Sequence, residues 1–240
     1  MDDNLGICQE GNAPTFVEVF EDVCKTFPTG ITYVEIGVGA GGTLLWVARY
    51  LKKYLQDWRA IGIDLPDGYS LCAHALVNAC ARDKFFMRMV RDEVKDVSNP
   101  KPWSALGQGV TLVLAPSQAA FRIFWPQGLP IHVALIDGCH GRACVMGDFL
   151  ALEPLIEIGG YVLFHDYEVL GESQPHCGTE DTLGACEELG LPFNGRRNWK
   201  FVKVSTPDKS RGGRAIGVFK KVPVESSIAQ SDAFYRATGS

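Results

Sequence analysis

The sequence predicts an α/β fold: a doubly wound, mostly parallel seven-stranded sheet that ends in a C-terminal antiparallel hairpin. Three observations carry this. Apolar runs rich in β-branched residues, each closing in Gly, Asp or Ser, alternate with amphipathic stretches, which is the βαβ pattern of a parallel sheet covered on both faces. A glycine-rich segment, Val34 to Gly42, lies where the first apolar run gives way to a helical pattern. The last two runs are separated only by Ser205–Gly213, too short for a crossover helix, so they should pair as a hairpin.

The strands expected are Ile31–Val38, Arg59–Leu65, Val110–Pro116, Ile131–Ile136, Tyr161–His165, Trp199–Val204 and Arg214–Val222. Between them fall helices at Thr15–Thr26, Gly42–Tyr54, Leu71–Phe86, Gln118–Phe124, Arg142–Ile158 and Asp181–Leu189. Thr15 with Glu18 has the spacing of a capping box. In the second helix Leu44, Leu45, Val47, Ala48 and Leu51 recur at helical spacing and can lie on the sheet. Pro66–Gly109 is long for one connection and is broken at Ser98–Pro102, so an inserted element is expected there. Its Arg82, Lys84, Arg88, Arg91 and Lys95 interleave with Asp83, Asp92, Glu93 and Asp96, as on a solvated helix face.

The chain of 240 residues carries 23 Lys+Arg against 28 Asp+Glu, a net charge of −5. No basic cluster is present to hold a nucleic-acid backbone or an anionic membrane, so a small-molecule partner is expected. No apolar stretch is long enough to span a bilayer, and Met1-Asp-Asp-Asn lacks the basic start of a signal peptide, which reads as cytoplasmic. The eight cysteines form no C-x-x-C pair and read as reduced, mostly buried thiols. One domain over 1–240 is expected, with an N-terminal helical segment (1–30), the insertion (66–109), a lid (171–198) and a polar tail (223–240).

Gly37, Gly39 and Gly42 satisfy G-x-G-x-x-G literally, with Asp64 closing the next strand, which leaves a dinucleotide open as ligand. Glu35, however, puts a carboxylate beside the loop. That charge repels a pyrophosphate and favours the ammonium and sulfonium of S-adenosylmethionine. Read as Glu35 followed by Gly37, Gly39 and Gly41, the segment is E-x-G-x-G-x-G, which resembles the first motif of class I S-adenosylmethionine-dependent methyltransferases. Asp64 then suits the ribose hydroxyls. The plainer alternative is that Glu35 caps the loop and Asp64 merely ends a strand.

Asp137 ends one strand (I-D-G-C-H, Ile136 to His140), and His165 with Asp166 ends the next (F-H-D-Y, Phe164 to Tyr167). Neighbouring parallel strands would bring these groups together at the crevice where such sheets bind ligands. Carboxylates there are costly unless paired or metal-bound. Together with Val110 to Gln118, these segments resemble catechol O-methyltransferase. The I-D-G-x-H form, Asp148 and the Gly159-Gly160 turn look closer to the metal-dependent sugar and macrolide-sugar O-methyltransferases and their cephalosporin-hydroxylase-like relatives.

The resemblance implies an S-adenosylmethionine-dependent O-methyltransferase with a Rossmann-like methyltransferase fold, acting on a hydroxyl of a small molecule such as a sugar or natural product. It implies cofactor binding by Glu35, Gly37, Gly39, Gly41, Asp64, Ser117, Gln118 and Asp137, with Ser117 and Gln118 bordering the adenine. It also implies a divalent cation on Asp137, His165 and Asp166, and His140 as catalytic base. His165 stands where these families usually place Asp or Glu, which moves the preference from Mg²⁺ toward Mn²⁺ or another transition metal. His140 has a plainer alternative as the cap of the following helix. Relatives of this kind are often homo-oligomers. Competing expectations are an NAD-dependent oxidoreductase and a non-haem iron oxygenase using Asp137, His140 and His165. His132 and His74 read as structural or solvated, His176 as part of the lid, and Tyr167, Arg196, Arg197 and Trp199 as candidates to border the substrate.

Overall fold

The computed structural model describes residues 11–39, 41–65, 94–95, 109–167, 181–191, 196–205 and 214–224. The expected helix Leu71–Phe86, most of the insertion, half of the lid, the tail beyond 224, and His74 and His176 lie outside them. Strands β1 (Ile31–Ile36), β2 (Trp58–Asp64), β3 (Val94–Lys95), β4 (Gly109–Leu114), β5 (Ile131–Ile136), β6 (Ile156–Phe164), β7 (Trp199–Val204) and β8 (Gly217–Lys221) form one sheet in the order β3-β4-β2-β1-β5-β6-β8-β7. All seven expected strands are present, and the two-residue β3 adds an edge from within the insertion. β1 to β6 run parallel, while β8 pairs antiparallel with both β6 and β7, the hairpin expected from the short connection between the last two strands.

Helices α1 (Ala13–Thr26) and α2 (Gly42–Tyr54) cover one face. The other is covered by α3 (Ser117–Ala119, continuing as a π-helical turn over Ala120–Phe124), α4 (Arg142–Leu152) and α5 (Thr182–Glu188). Strand alternation sorts the core accordingly. Ile31, Tyr33, Val133, Leu135 and Leu163 pack under Phe16, Phe20, Leu44 and Leu51, whereas Val34, Ile36, Ala134 and Ile136 face Phe149, Leu152 and Ala185. No helix among the described residues is long and apolar enough to cross a membrane.

Two boundaries depart from expectation. Helix α1 starts at Ala13, with Asn12 as N-cap residue and Pro14 in the first turn, so Thr15 and Glu18 make no capping box. Glu18 instead pairs with Lys203 of β7. The buried Asn12 side chain ties α1 to the hairpin, donating to the Arg214 carbonyl (3.0 Å) and accepting from Ser205 Oγ (2.6 Å). Helix α4 ends at Leu152 rather than Ile158 because Pro154 has no N–H for a further helical bond. The freed Ile156 then pairs with Ile131, and β6 starts five residues earlier than expected.

Candidate functional site

Strand order reverses at β1: the chain moves outward through β2 and β4, then returns to β5 on the other side of β1. Ligands bind at such switch points, beyond the carboxyl ends of the strands. A ladder of backbone bonds aligns those ends here: Gly37 N to Ile63 O (2.9 Å), Asp137 N to Ile36 O (2.9 Å), His165 N to Ile136 O (3.0 Å) and Ala115 N to Asp64 O (3.0 Å). Glu35, Gly37, Asp64, Ser117, Gln118, Asp137, His165 and Asp166 therefore lie along one edge of the sheet.

Gly37, Gly39 and Gly41 all have positive φ (82°, 50° and 75°), a conformation costly for residues with a Cβ. At Gly37 a Cβ would also stand 2.2 Å from the Asp137 carbonyl oxygen, so the loop and the end of β5 touch backbone to backbone. At Gly39 a Cβ would meet nothing within 4 Å, which leaves the loop open on that side. Asp64 holds the loop from β2: its Oδ2 accepts from the amides of Val38 (3.0 Å) and Gly39 (3.3 Å), and its Oδ1 from Leu65 N (2.7 Å). A ribose hydroxyl at Asp64 would share a carboxylate that already shapes the loop.

Glu35 is buried, 1% exposed, and accepts a hydrogen bond from Tyr33 Oη (2.9 Å). Burial pushes its carboxyl well above the usual range, the Tyr33 bond works against that, and the charges of Asp137 and Asp64 push it further. Burial thus disfavours the charge that the sequence reading gave Glu35 beside the loop, because the structure places its carboxyl inside the sheet rather than on the open side. Ser117 Oγ donates to Asp148 Oδ1 on α4, and Gln118 lies across Gly147, where a Cβ would approach its Nε2 to 2.2 Å. Both residues thus sit against α4. Asp148, though in the sequence motif, had no role assigned; burial pushes its carboxyl up to about 6, with the Ser117 bond opposing.

Asp137, His140, His165 and Asp166 each offer a ligand atom, all within 4.8 Å of one another. His165 Nδ1 lies 2.6 Å from Asp137 Oδ1 and 3.4 Å from Asp166 Oδ2. His140 Nδ1 lies 2.7 Å from Asp166 Oδ2, and its Nε2 3.5 Å from Asp137 Oδ1. Asp166 has φ 53°, the one non-glycine residue with positive φ among those described. That conformation is uncommon for such a residue, and a polar cluster at a functional site is a typical place to find it. Burial opposes ionisation of Asp166, but hydrogen bonds from His140 and His165 outweigh it and hold the carboxyl well below its ordinary value. Bonds to Asp137 and Asp166 push His140 up to about 10, so the two carboxylates favour its charged form. Two carboxylates and two imidazoles at this spacing fit a divalent transition metal, and suit Mg²⁺ less well.

His140 is not the cap of the following helix: Gly141 occupies the N-cap position and no side chain bonds there. The loop is braced from α5 instead. Asp181 N donates to the His140 carbonyl (2.9 Å), while the Asp181 carboxylate caps Gly184 N (2.9 Å) and accepts from Arg142 Nε (2.7 Å). Neither Asp181 nor Arg142 stood out in the sequence, because their pairing spans 39 positions. Arg214, whose Nη1 lies 3.4 Å from Asp166 Oδ1, was hidden likewise in the hairpin. Three expected substrate neighbours are structural. Trp199 is buried, with Nε1 bonded to Glu153 Oε1 (2.9 Å), and Arg196 pairs with Glu153 beside it, at the start of β7 and the opposite edge of the sheet. Tyr167 is buried against Gly217 and Phe219.

No curated protein sequence matches the chain. Solved structures share the fold at low identity. The O-methyltransferase TomG from Streptomyces achromogenes, involved in tomaymycin synthesis and solved with S-adenosylmethionine, is 14% identical with a TM-score of 0.54, over 93% of this chain and 92% of that one. An O-methyltransferase from Bacillus cereus in complex with S-adenosylhomocysteine is 13% identical with a TM-score of 0.53, over 87% and 82%. MycE from the mycinamycin biosynthetic pathway, solved with Mg and S-adenosylhomocysteine, is 18% identical with a TM-score of 0.50, over 89% of this chain and 50% of that one. A family model described as a methyltransferase domain matches residues 34–167, from the strand before the glycine loop to the end of the His165-Asp166 segment and more than half the chain, and this protein therefore belongs to that methyltransferase family.

Proposed function

We propose that the chain transfers a methyl group from S-adenosylmethionine to a hydroxyl of a small molecule, a sugar or other natural product, with assistance from a divalent cation. The observation that carries the proposal is the Asp137, His140, His165 and Asp166 cluster, set where β5 and β6 end beside the glycine loop. The ligands named for TomG, the Bacillus cereus enzyme and MycE support the same choice of cofactor, and the Mg named for MycE supports the use of a metal. We extend the reading to a single cytoplasmic domain that forms homo-oligomers and acts on no nucleic acid.

In this reading the Gly37–Gly41 loop and Glu35 hold the methionine part of the cofactor, Asp64 the ribose, and Ser117 and Gln118 the adenine side. Asp137, His165 and Asp166 hold the cation. When bound, the cofactor supplies an activated methyl and the cation lowers the pKa of a hydroxyl that it orients. His140, once the carboxylates beside it are engaged, gives up its own proton and takes that of the acceptor. The Asp181 and Arg142 brace fixes where His140 stands. A second reading makes both histidines ligands of Fe²⁺ with Asp137, favoured by the proximity of all four donor atoms.

The test is incorporation of label from methyl-labelled S-adenosylmethionine into a panel of hydroxylated sugars and phenols, with Mn²⁺ or with a chelator. Metal-dependent labelling is expected. Fe²⁺-dependent oxygen uptake without methyl transfer would favour the second reading, and binding of NADH with none of S-adenosylhomocysteine would overturn both.

A further inference from the structure

Two consecutive residues of α4 serve two consecutive residues of α3. Asp148 accepts a hydrogen bond from Ser117 Oγ, while Gly147 leaves the space that the Gln118 carboxamide occupies, so that a Cβ there would collide with Gln118 Nε2. Each of the two α4 residues is an unfavourable choice for its place. Gly147 lies in the middle of an 11-residue helix, where any residue but proline would be a better helix former. Asp148 is 5% exposed beside Val145, Phe149 and Leu152 of the core, and a buried carboxylate is costly unless it is paired. Its pairing is with a neutral hydroxyl rather than a cation. Neither residue belongs to the apolar core; what both do is hold the side chains of Ser117 and Gln118.

Ser117 and Gln118 are half-buried, so a ligand can reach them. They follow β4, which lies next to β2; Asp64 ends β2, the glycine loop leaves β1, and the four-donor cluster ends β5 and β6. Neighbouring strands are about 4.8 Å apart, so these ends form a row. From the cluster outward, the row offers places for acceptor, sulfonium, ribose and base in the order that methyl transfer from S-adenosylmethionine requires.

The hydrogen-bond polarity at the base end follows from Asp148. Burial raises its carboxyl to about 6, with the Ser117 bond opposing, so above that pH the group is ionised and can only accept. Ser117 has a single O–H hydrogen; once this is donated to Asp148, Oγ has only lone pairs to offer a ligand. Adenine presents a donor in its exocyclic amino group, and a 6-oxopurine presents an acceptor at the same position. We infer that Asp148 is a positioning residue that holds Ser117 Oγ as an acceptor for the exocyclic amino group of the cofactor's base, so that the site selects a 6-aminopurine over a 6-oxopurine. This selectivity rests on the proposed S-adenosylmethionine reading. Gln118, whose carboxamide offers both a donor and an acceptor, can suit either base and leaves the choice to Ser117.

The experiment titrates the full chain, at about pH 8 where the Asp148 carboxyl is ionised, with S-adenosylhomocysteine and with its hypoxanthine counterpart, S-inosylhomocysteine. The parent should bind the first about 10–100-fold more tightly, the loss expected when a carbonyl acceptor meets an oxygen that cannot donate. Asp148→Ala frees the Ser117 hydrogen to turn toward either base, and the ratio of the two affinities should shrink about tenfold. Asp148→Asn keeps a carbonyl oxygen to accept from Ser117 and should hold the ratio within about threefold of the parent's. Ser117→Ala, which leaves α4 untouched, should shrink the ratio as Asp148→Ala does and serves if that variant folds poorly. A merely structural Asp148 would weaken both ligands equally. A ratio unchanged in either alanine variant, or a parent that binds the hypoxanthine ligand as tightly as the adenine one, would overturn the role of Asp148 and leave the cofactor reading standing. A parent that binds neither ligand would overturn the S-adenosylmethionine reading and the selectivity together.

Discussion

His140 Nδ1 lies 2.7 Å from Asp166 Oδ2, and that contact joins the end of β6 to the loop after β5. As general base, His140 must be neutral when substrate is bound, yet both neighbouring carboxylates favour its charged form, up to about 10. A cation on Asp137 and Asp166 removes that bias. Mn²⁺ binding at neutral pH should therefore release about one proton, and the apparent affinity should rise with pH from ~6.5 toward ~10. Calorimetry in buffers of different ionisation enthalpy measures the proton directly; no buffer dependence would contradict the scheme.

His140→Ala should keep affinity for S-adenosylhomocysteine and Mn²⁺ within about threefold and lower turnover by about 10²–10⁴-fold, the usual effect of losing a general base. A loss of Mn²⁺ affinity beyond about tenfold would place His140 among the ligands instead.

Asp166 combines a ligand role with a left-handed backbone, so its variants should separate the two. Asn tolerates that conformation better than Ala. Asp166→Asn should fold nearly as stably as the parent and lose metal-dependent activity, whereas Asp166→Ala should lose the same activity and about 1 kcal/mol more stability. Denaturant unfolding and Mn²⁺ titration of the two variants check this.

Gly37 and Gly39 share a positive φ but differ in surroundings. Gly37→Ala drives a Cβ to 2.2 Å from the Asp137 carbonyl, so the loop must part from β5; unstable protein with no detectable S-adenosylhomocysteine binding is expected. Gly39→Ala meets no neighbour and should cost about 1 kcal/mol, with binding weakened but measurable. Equal effects of the two would contradict the close approach at Gly37.

His132 gives a stability prediction independent of the site. Its Nδ1 accepts from Thr32 N (2.9 Å), the ring packs against Phe27, and burial followed by the Arg59 charge lowers its pKa from 6.5 to about 4. Below pH 6.5 the unfolded chain takes up a proton that the folded chain refuses, so stability falls as pH drops toward 4 and then levels. Between pH 7 and 5 this one group should cost about 1–2 kcal/mol, and His132→Gln should flatten that slope. Parallel slopes for parent and variant in denaturant unfolding would remove the assignment.

The fold was legible because a sheet covered on both faces leaves near-continuous apolar runs, as in β1 and β5, and because the connection between the last two strands is too short for a crossover helix. What failed was local and had tertiary causes. The Thr15 and Glu18 spacing is a good cap on paper, but Asn12 is held by Ser205 and Arg214, 193 and 202 positions away. At the site, Asp137, His140, His165 and Asp166 were readable because a carboxylate ending an apolar strand is conspicuous. The Asp181, Arg142 and Arg214 contacts were not, since surface charges show no partner until the chain is folded. Trp199 and Arg196 looked like binding residues by type, and only the register of β7 shows that they stand at the wrong end of the sheet.

The most direct test is a calorimetric titration of the reduced protein with S-adenosylhomocysteine, with and without Mn²⁺, repeated on Asp137→Ala. The account predicts saturable one-to-one binding of S-adenosylhomocysteine, a separate one-to-one Mn²⁺ site, and loss of the Mn²⁺ site in the variant. No binding of S-adenosylhomocysteine under either condition, or Mn²⁺ binding that survives Asp137→Ala unchanged, would contradict it.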